Sequence, residues 1–566
     1  MTLGKITTVC AALTMVMGCS DKLANEQDQA SSSKKDQAVI ADVIARETKA
    51  HAIQEQEIYT VATLERQSKS KISNQAVRAM PASQMDTMLR IEPPVYNQNR
   101  DNYLESVSNN VHQVINAPLS TFSIDVDTGS YTNVRSYLNM GQKPPVDAIR
   151  EEAFINYFDY QYAPPENKDQ PFSVNTEIAP SPWNETRQLL RIALKGYDIP
   201  HSERKPSNLV FLVDVSGSMN DANKLPLLVR SLSMLVKELS ENDSVSLVTY
   251  AGHSSVVLKP TKGNEKETII NALKNLTAGG GTYGESGITM AYQQARASYI
   301  ENGVNRIILA TDGDFNVGVT SIDALKETIA TERKQGISLT TIGFGRGNYN
   351  DAMMEQLANI GDGNHAYIDT LHEAKKVLLR QMSGTLQTIA SDVKIQIEFN
   401  PDIVKEYRLI GYQNRMLKDE DFNNDKVDAG EIGAGHTVTA LYELTLAGSK
   451  GQIDDLRYGA KTAIKPNFDG EVAQVKVRYK RPNSNDSTLI STIISSEQIK
   501  EQFSLASEDF QFASSVAAFA QKLKDNNYLN DLSYEQIADI ARENRGNDPF
   551  NYRGEFISLV EVTQSL

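Results

Sequence analysis

Four apolar runs of strand length, "LVFLV" at 209–213, "SVSLVTY" at 244–250, "RIILAT" at 306–311 and "ISLTTIGF" at 337–344, are separated by stretches of helical periodicity. A strand that is apolar along its whole length must be covered on both faces. Such strands alternating with helices give a mainly parallel sheet with helices on each side. One intervening stretch puts Leu225, Leu228, Val229, Leu232, Leu235, Val236 and Leu239 on a single helical face. Another is expected to open at Ser321 as N-cap and close at Gly336. Residues 207–385 therefore read as a doubly wound α/β domain.

The first of these runs continues into Asp214, Ser216 and Ser218, three oxygen-bearing side chains at alternate positions. In an open α/β sheet, ligands bind beyond the carboxyl ends of the strands. Two further segments should converge there: "GGGTYGESGI" at 279–288, which sets Thr282 just before a helix, and "ATDGD" at 310–314, which carries Asp312. The set is two carboxylates and three hydroxyls with no His or Cys. Hard oxygen donors suit Mg²⁺, Mn²⁺ or Ca²⁺ and disfavour zinc. Two carboxylates balance a divalent charge, and hydroxyls and waters fill further positions while one stays open.

These three motifs, in this order and these strand and loop contexts, resemble the von Willebrand factor type A (VWA) domain and its metal-ion-dependent adhesion site. The resemblance covers residues 207 to about 385 and assigns the metal-site roles to Asp214, Ser216, Ser218, Thr282 and Asp312. In that family the open metal position accepts a carboxylate from a partner protein. The resemblance thus implies a binding module, not an enzyme, with an Asp or Glu of a partner protein as the group recognised. The flanks extend it: "STFSIDVDTGSYTNVRSYLN" from residue 120 and "RLIGYQNRMLKDEDFNNDKVDAGEIGAGHTVTALYEL" from 408 resemble the N-terminal segment and the C-terminal domain of unknown function in bacterial VWA lipoproteins.

At the other end, "MTLGKITTVCAALTMVMGC" has an early Lys5, a short apolar run and a small residue before Cys19. That reads as a secretory leader over 1–18, too short for a membrane span, and it resembles the lipobox of bacterial lipoproteins, in which Cys19 would be lipidated. Asp21 resembles the signal that retains such proteins at the inner membrane, so the expected location is the periplasmic face, inner membrane favoured over outer. Cleavage before Cys19 would discard Cys10, the only other cysteine, so no internal disulfide is possible. Residues 19–115, polar and poor in aromatics, read as a tether spanning about 50 Å as a flexible chain. A net charge of −15 argues against nucleic acid and anionic lipid as charge-recognised partners.

Residues 116–206 are expected to be an N-terminal segment with a helix at 146–158 and two strands flanking "APSPWNET"; 386–566 should be β-rich, then helical, with a Ser533–Gln536 capping box. The β-rich pieces on either side of the α/β domain are expected to form one sandwich into which that domain is inserted.

Other patterns are weaker. Asp127-Thr128-Gly129-Ser130 spells the aspartic-protease signature, but that chemistry needs a second such carboxylate and none follows. "GGGTYGES" at 279–286 mimics a phosphate loop with Glu285 where Lys belongs, which excludes a nucleotide. The acidic stretch 419–431 has Asn424 at the sixth position, where a calcium loop needs Gly, and no Glu at the twelfth, and reads as a solvated turn. "FINYFDYQY" at 154–162 reads as a packing helix, and His365 and His436 stand alone. Two functional alternatives remain: a metal-dependent hydrolase with Glu285 as the only spare nearby carboxylate, and a scaffold that binds through its flanks with an incidental metal.

Overall fold

The computed structural model describes residues 101–566 apart from 283, 314–321, 382–386, 455–467, 469, 483 and 485. The leader, Cys19, most of the tether and Ser321 lie outside the described residues. The first part contains β1 (His112–Gln113), β2 (Leu119–Ser123), α1 (Gly129–Asn139), α2 (Glu151–Ile155), β3 (Phe172–Ser181) and β4 (Asn184–Gly196). The α/β part follows with β5 (Ser207–Asp214), α3 (Leu225–Glu238), β6 (Ser244–Tyr250), β7 (Ser254–Lys262), α4 (Lys266–Lys274), α5 (Glu285–Ala297), β8 (Val304–Thr311), α6 (Ile322–Lys334), β9 (Ile337–Phe344), α7 (Asp351–Ile360), β10 (His365–Ile368) and α8 (Leu371–Lys375). The last part holds β11 (Thr388–Phe399), β12 (Val404–Ile410), β13 (Gly430–Gly433), β14 (Thr437–Leu446), β15 (Glu471–Lys480), β16 (Ser487–Ser495), α9 (Glu508–Leu523), α10 (Tyr534–Glu543) and α11 (Tyr552–Thr563).

The α/β sheet has the order β10-β9-β8-β5-β6-β7. Every neighbour pair is parallel except β6–β7. Residues Ser207–Asp214 are buried throughout, because α3 covers one face and α5 the other. All members of the expected α3 stripe are buried except Val229, which is half-buried.

The flanking β-rich pieces do form one body. β4 pairs antiparallel with β14, from Thr437↔Lys195 to Leu444↔Gln188, inside a sheet of order β1-β12-β14-β4-β3. β11 lies between β2 and β15 in a second sheet, and the two sheets share one apolar core. Helices α9–α11 cover the outer face of the first sheet, and Ser533 and Gln536 form the expected capping box.

Two expectations need correction. Residues 101–115 were placed with the tether on their polar composition; they are instead held by side-chain bonds, such as Asn109 Nδ2 to the carbonyls of Leu409 and Gly411 at 3.0 and 2.7 Å. The helix expected at 146–158 shrinks to Glu151–Ile155. The periodic aromatics beyond it, Tyr157, Phe158, Tyr160 and Tyr162, are core residues on non-helical chain.

His436 lies in the turn before β14, and its Nδ1 is buried with no hydrogen-bond partner among the described residues. Burial, with Lys195 nearby, pushes its imidazole down from 6.5 to about 4. The folded state then binds fewer protons than the unfolded chain between those values, so stability rises with pH across that window. We expect the melting temperature to fall as pH is lowered from 6.5 to 4, and the slope to flatten in His436→Gln, by calorimetry across a pH series.

Candidate metal site

β5 is the strand at which the sheet reverses direction, with β6 on one side and β8 on the other. A crevice opens beyond the carboxyl end of such a strand. Asp214 is the last residue of β5, and Asp312 follows the last residue of β8; both side chains are fully buried. Thr311 Oγ1 donates to Asp214 Oδ2 at 2.9 Å, and the backbone N–H of Ser216 donates to Asp214 Oδ1 at 2.8 Å. The Ser216 and Ser218 hydroxyls lie 3.0 Å apart. Ser216 is buried and Ser218 exposed, so the pair points from the strand end towards solvent.

The glycine loop is fastened to this turn by its backbone. Gly217 N–H donates to Gly280 O at 3.1 Å, and Gly279 N–H to Val215 O at 2.8 Å. These bonds hold half-buried Thr282 next to the first motif, ahead of α5. The loop 345–350 closes the other side: Asn348 Nδ2 stands 3.5 Å from Asp312 Oδ1. Gly313 has φ +96°, and a Cβ there would come 2.3 Å from Asn350 N, so only glycine lets this loop approach Asp312. The loop is itself tied to the start of the described chain. Asp101 Oδ1 accepts from the N–H groups of Gly347 and Tyr349 at 2.9 and 2.8 Å, and Asn102 N–H donates to Tyr349 O at 2.8 Å.

Neither serine caps a helix. The turn at Gly217–Asn220 and helix α3 both start without a side-chain capping bond. Their hydroxyls bond each other and are not spent on a helix N-terminus. All five expected residues thus belong to the three segments that meet at the switch point, and their donor atoms are all oxygen. That chemistry fits a hard divalent cation. Burial pushes the Asp214 carboxyl up to about 6, with the Asp312 charge adding to it; a cation between the two would favour the ionised form.

The sequence reading missed Lys224. Its ammonium donates to Asp312 Oδ2 at 2.9 Å with both side chains buried. A signal existed: Lys224 immediately precedes helix α3, and a cation at a helix N-terminus is unfavourable unless something else holds it. Thr311 and Asn348 were missed too, one hidden inside an apolar run and the other in a loop without a motif.

The weaker patterns resolve as structure. Asp127 Oδ1 accepts from the backbone N–H of His365 at 2.8 Å, and its other oxygen lies 3.6 Å from Arg415. The acidic turn at Asp419–Asn423 has the carbonyls of Asp421 and Asn424 bound by Lys394 Nζ. His365 is buried against Thr341, Tyr349 and Asp351.

This fold and these loops define a VWA-domain protein: the model of the von Willebrand factor type A domain matches residues 208–381, and one described as von Willebrand factor matches 97–191. The model of the C-terminal part of the uncharacterized protein YfbK matches residues 384–566. YfbK of Escherichia coli (strain K12) is 46% identical over 471 residues, which is 82% of this chain and 81% of that protein. The chain belongs to the YfbK family. The human inter-alpha-trypsin inhibitor heavy chain H3 is 25% identical over 43% of this chain and 29% of its own length. Among solved structures, a von Willebrand factor type A protein from Catenulispora acidiphila is 13% identical and covers 69% of this chain and 89% of its own, with a TM-score of 0.38.

Thr311→Val keeps the side-chain shape but removes the hydroxyl that serves Asp214 and accepts from Gly313 N–H. We expect a stability loss of about 1–3 kcal/mol in urea unfolding.

Proposed function

We propose that this chain is a protein-binding module of the bacterial envelope that grips an Asp or Glu of a partner protein through a divalent cation, Mg²⁺ or a close substitute, held by Asp214, Ser216, Ser218, Thr282 and Asp312. The observation that carries this reading is the convergence of oxygen-only donors at the sheet's switch point, with two buried carboxylates at its floor and hydroxyls that cap nothing. The cation, when bound, supplies a Lewis-acidic position for an anionic group. The chain's own residues hold it: the carboxylates balance its charge, Thr311 and Ser216 N–H orient Asp214, and the Gly279–Gly280 bonds keep Thr282 in place. The leader and Cys19 support a lipid anchor at the periplasmic face, inner membrane favoured, which would keep the domain near membrane partners. Binding is preferred to hydrolysis because Glu285 opens helix α5 at an exposed position, and no described bond ties it to the carboxylate floor.

Deleting a carboxylate makes a poor test of this site, since Asp312→Ala would strand the Lys224 charge in the core, at a cost of about 3–5 kcal/mol. Ser216→Ala combined with Ser218→Ala removes two donors without stranding a charge. We expect this pair to weaken Mn²⁺ binding about ten-fold or more in calorimetry. In a pull-down from solubilised envelope, it should lose the partners that wild-type protein retains with Mg²⁺ and releases in EDTA. Unchanged Mn²⁺ affinity would refute the site; identical partners in metal, EDTA and variant lanes would move recognition to the flanks.

A further inference from the structure

The Lys224–Asp312 pair changes the charge of the candidate site. Asp214 and Asp312 together carry two negative charges at its floor. Lys224 returns one positive charge from within the protein, where its side chain is about as buried as its partner's. It is not a surface residue that happens to reach in. Its backbone closes the turn after the serine motif, with N–H donating to Asp221 O at 3.0 Å. Its stem lies against Gly345, where φ is +68° and an added Cβ would come 2.3 Å from Lys224 Cε. The bond goes to Oδ2 of Asp312, while Oδ1 is the oxygen near Asn348. Lysine therefore holds one carboxylate oxygen, while the other meets only the long Asn348 contact.

We propose that Lys224 is a built-in counter-cation that lowers the site's affinity for its metal and leaves the loaded site with a net positive charge, so that a negatively charged ligand completes it. This rests on the metal-binding reading above. Two carboxylates and a divalent cation sum to zero, and a neutral site attracts an anion only weakly. With Lys224 included the sum is one positive charge, in a buried setting where water screens little. The same charge keeps the metal-free site from repelling itself, since without it two buried carboxylates would face each other. A lysine that merely filled space would have no such effect on a cation.

The test uses the whole chain and compares wild type with Lys224→Met, which keeps the stem and removes the charge, and Lys224→Gln, which also keeps a donor for Asp312. Mn²⁺ affinity is read by titration calorimetry, and the melting temperature is read in EDTA and in saturating Mn²⁺. The expected result is an affinity about ten-fold to a hundred-fold tighter in both variants. Their melting temperatures should be lower than wild type in EDTA, with a larger rise on adding Mn²⁺. Gln serves if Met does not fold. Equal or weaker Mn²⁺ affinity in a folded variant overturns the proposal and leaves the metal site standing. Binding by the variants but not by wild type supports it in its strongest form, with the lysine outcompeting the ion. No binding by any of the three overturns both this proposal and the metal reading.

Discussion

The pairing of β4 with β14 is the interaction on which the architecture depends. It joins residues 188–195 to 437–444 through eight antiparallel positions. It therefore closes the sandwich only after the whole α/β domain has been threaded between its two halves. Both ends of the inserted domain, at residue 207 and near residue 381, must return to the same body. Contacts so distant in sequence cost loop entropy before they contribute anything. They repay it by burying one apolar core between the two sheets and a second between the first sheet and the C-terminal helices.

Where the inserted domain rests on its base, the interface is ionic. Arg415, in the loop after β12, reaches Asp125 at 3.0 Å and Glu355 at 3.5 Å. Arg150, from the first part of the chain, binds Asp351 and Glu355 on α7. Arg135 on α1 binds Asp369 and Glu373 beside and within α8. Asp125, Asp127 and Glu355 lie close enough together to suggest a cation, and the guanidinium of Arg415 supplies that charge. Arginine suits the role, since its planar fork serves several carboxylates at once. Burial holds Asp127 up at about 6 even so. Buried ion pairs contribute little net stability when intact but cost several kcal/mol when one partner is lost. The orientation of the VWA domain is therefore set by charge matching, and few alternative placements would satisfy these groups.

Much of this was legible. The parallel strands announced themselves as continuous apolar runs, and the candidate site as oxygen side chains at their ends. The missing pieces are those whose signal is tertiary. β7 escaped because an edge strand with four of its nine residues exposed and none buried shows no apolar run, and β10 because it has only four residues. Aromatics at 157–162 mimicked a helical stripe, although they lie beyond the helix: Phe158 packs on α9 and α11, Tyr157 on Tyr131 of α1, and Tyr160 on Tyr162. Lys224 was legible as a cation in need of a partner at a helix start, but that partner, 88 positions away, was not. Asp127 belonged to a motif with a known catalytic meaning, yet here it secures a strand of the inserted domain.

The strap formed by Asp101 and Asn102 has a mechanical meaning. Its bonds reach the backbone of residues 347–349 and also the Tyr137 hydroxyl on α1, and the next side chain inward, Asn348, faces Asp312. A pull on residue 101 would be shared between this loop and helix α1, through Asp101's bonds to Gly347, Tyr349 and Tyr137. Asn348 thus links the anchored start of the described chain to the Asp312 carboxylate, so a displacement of residue 101 would be felt one side chain away from the candidate site.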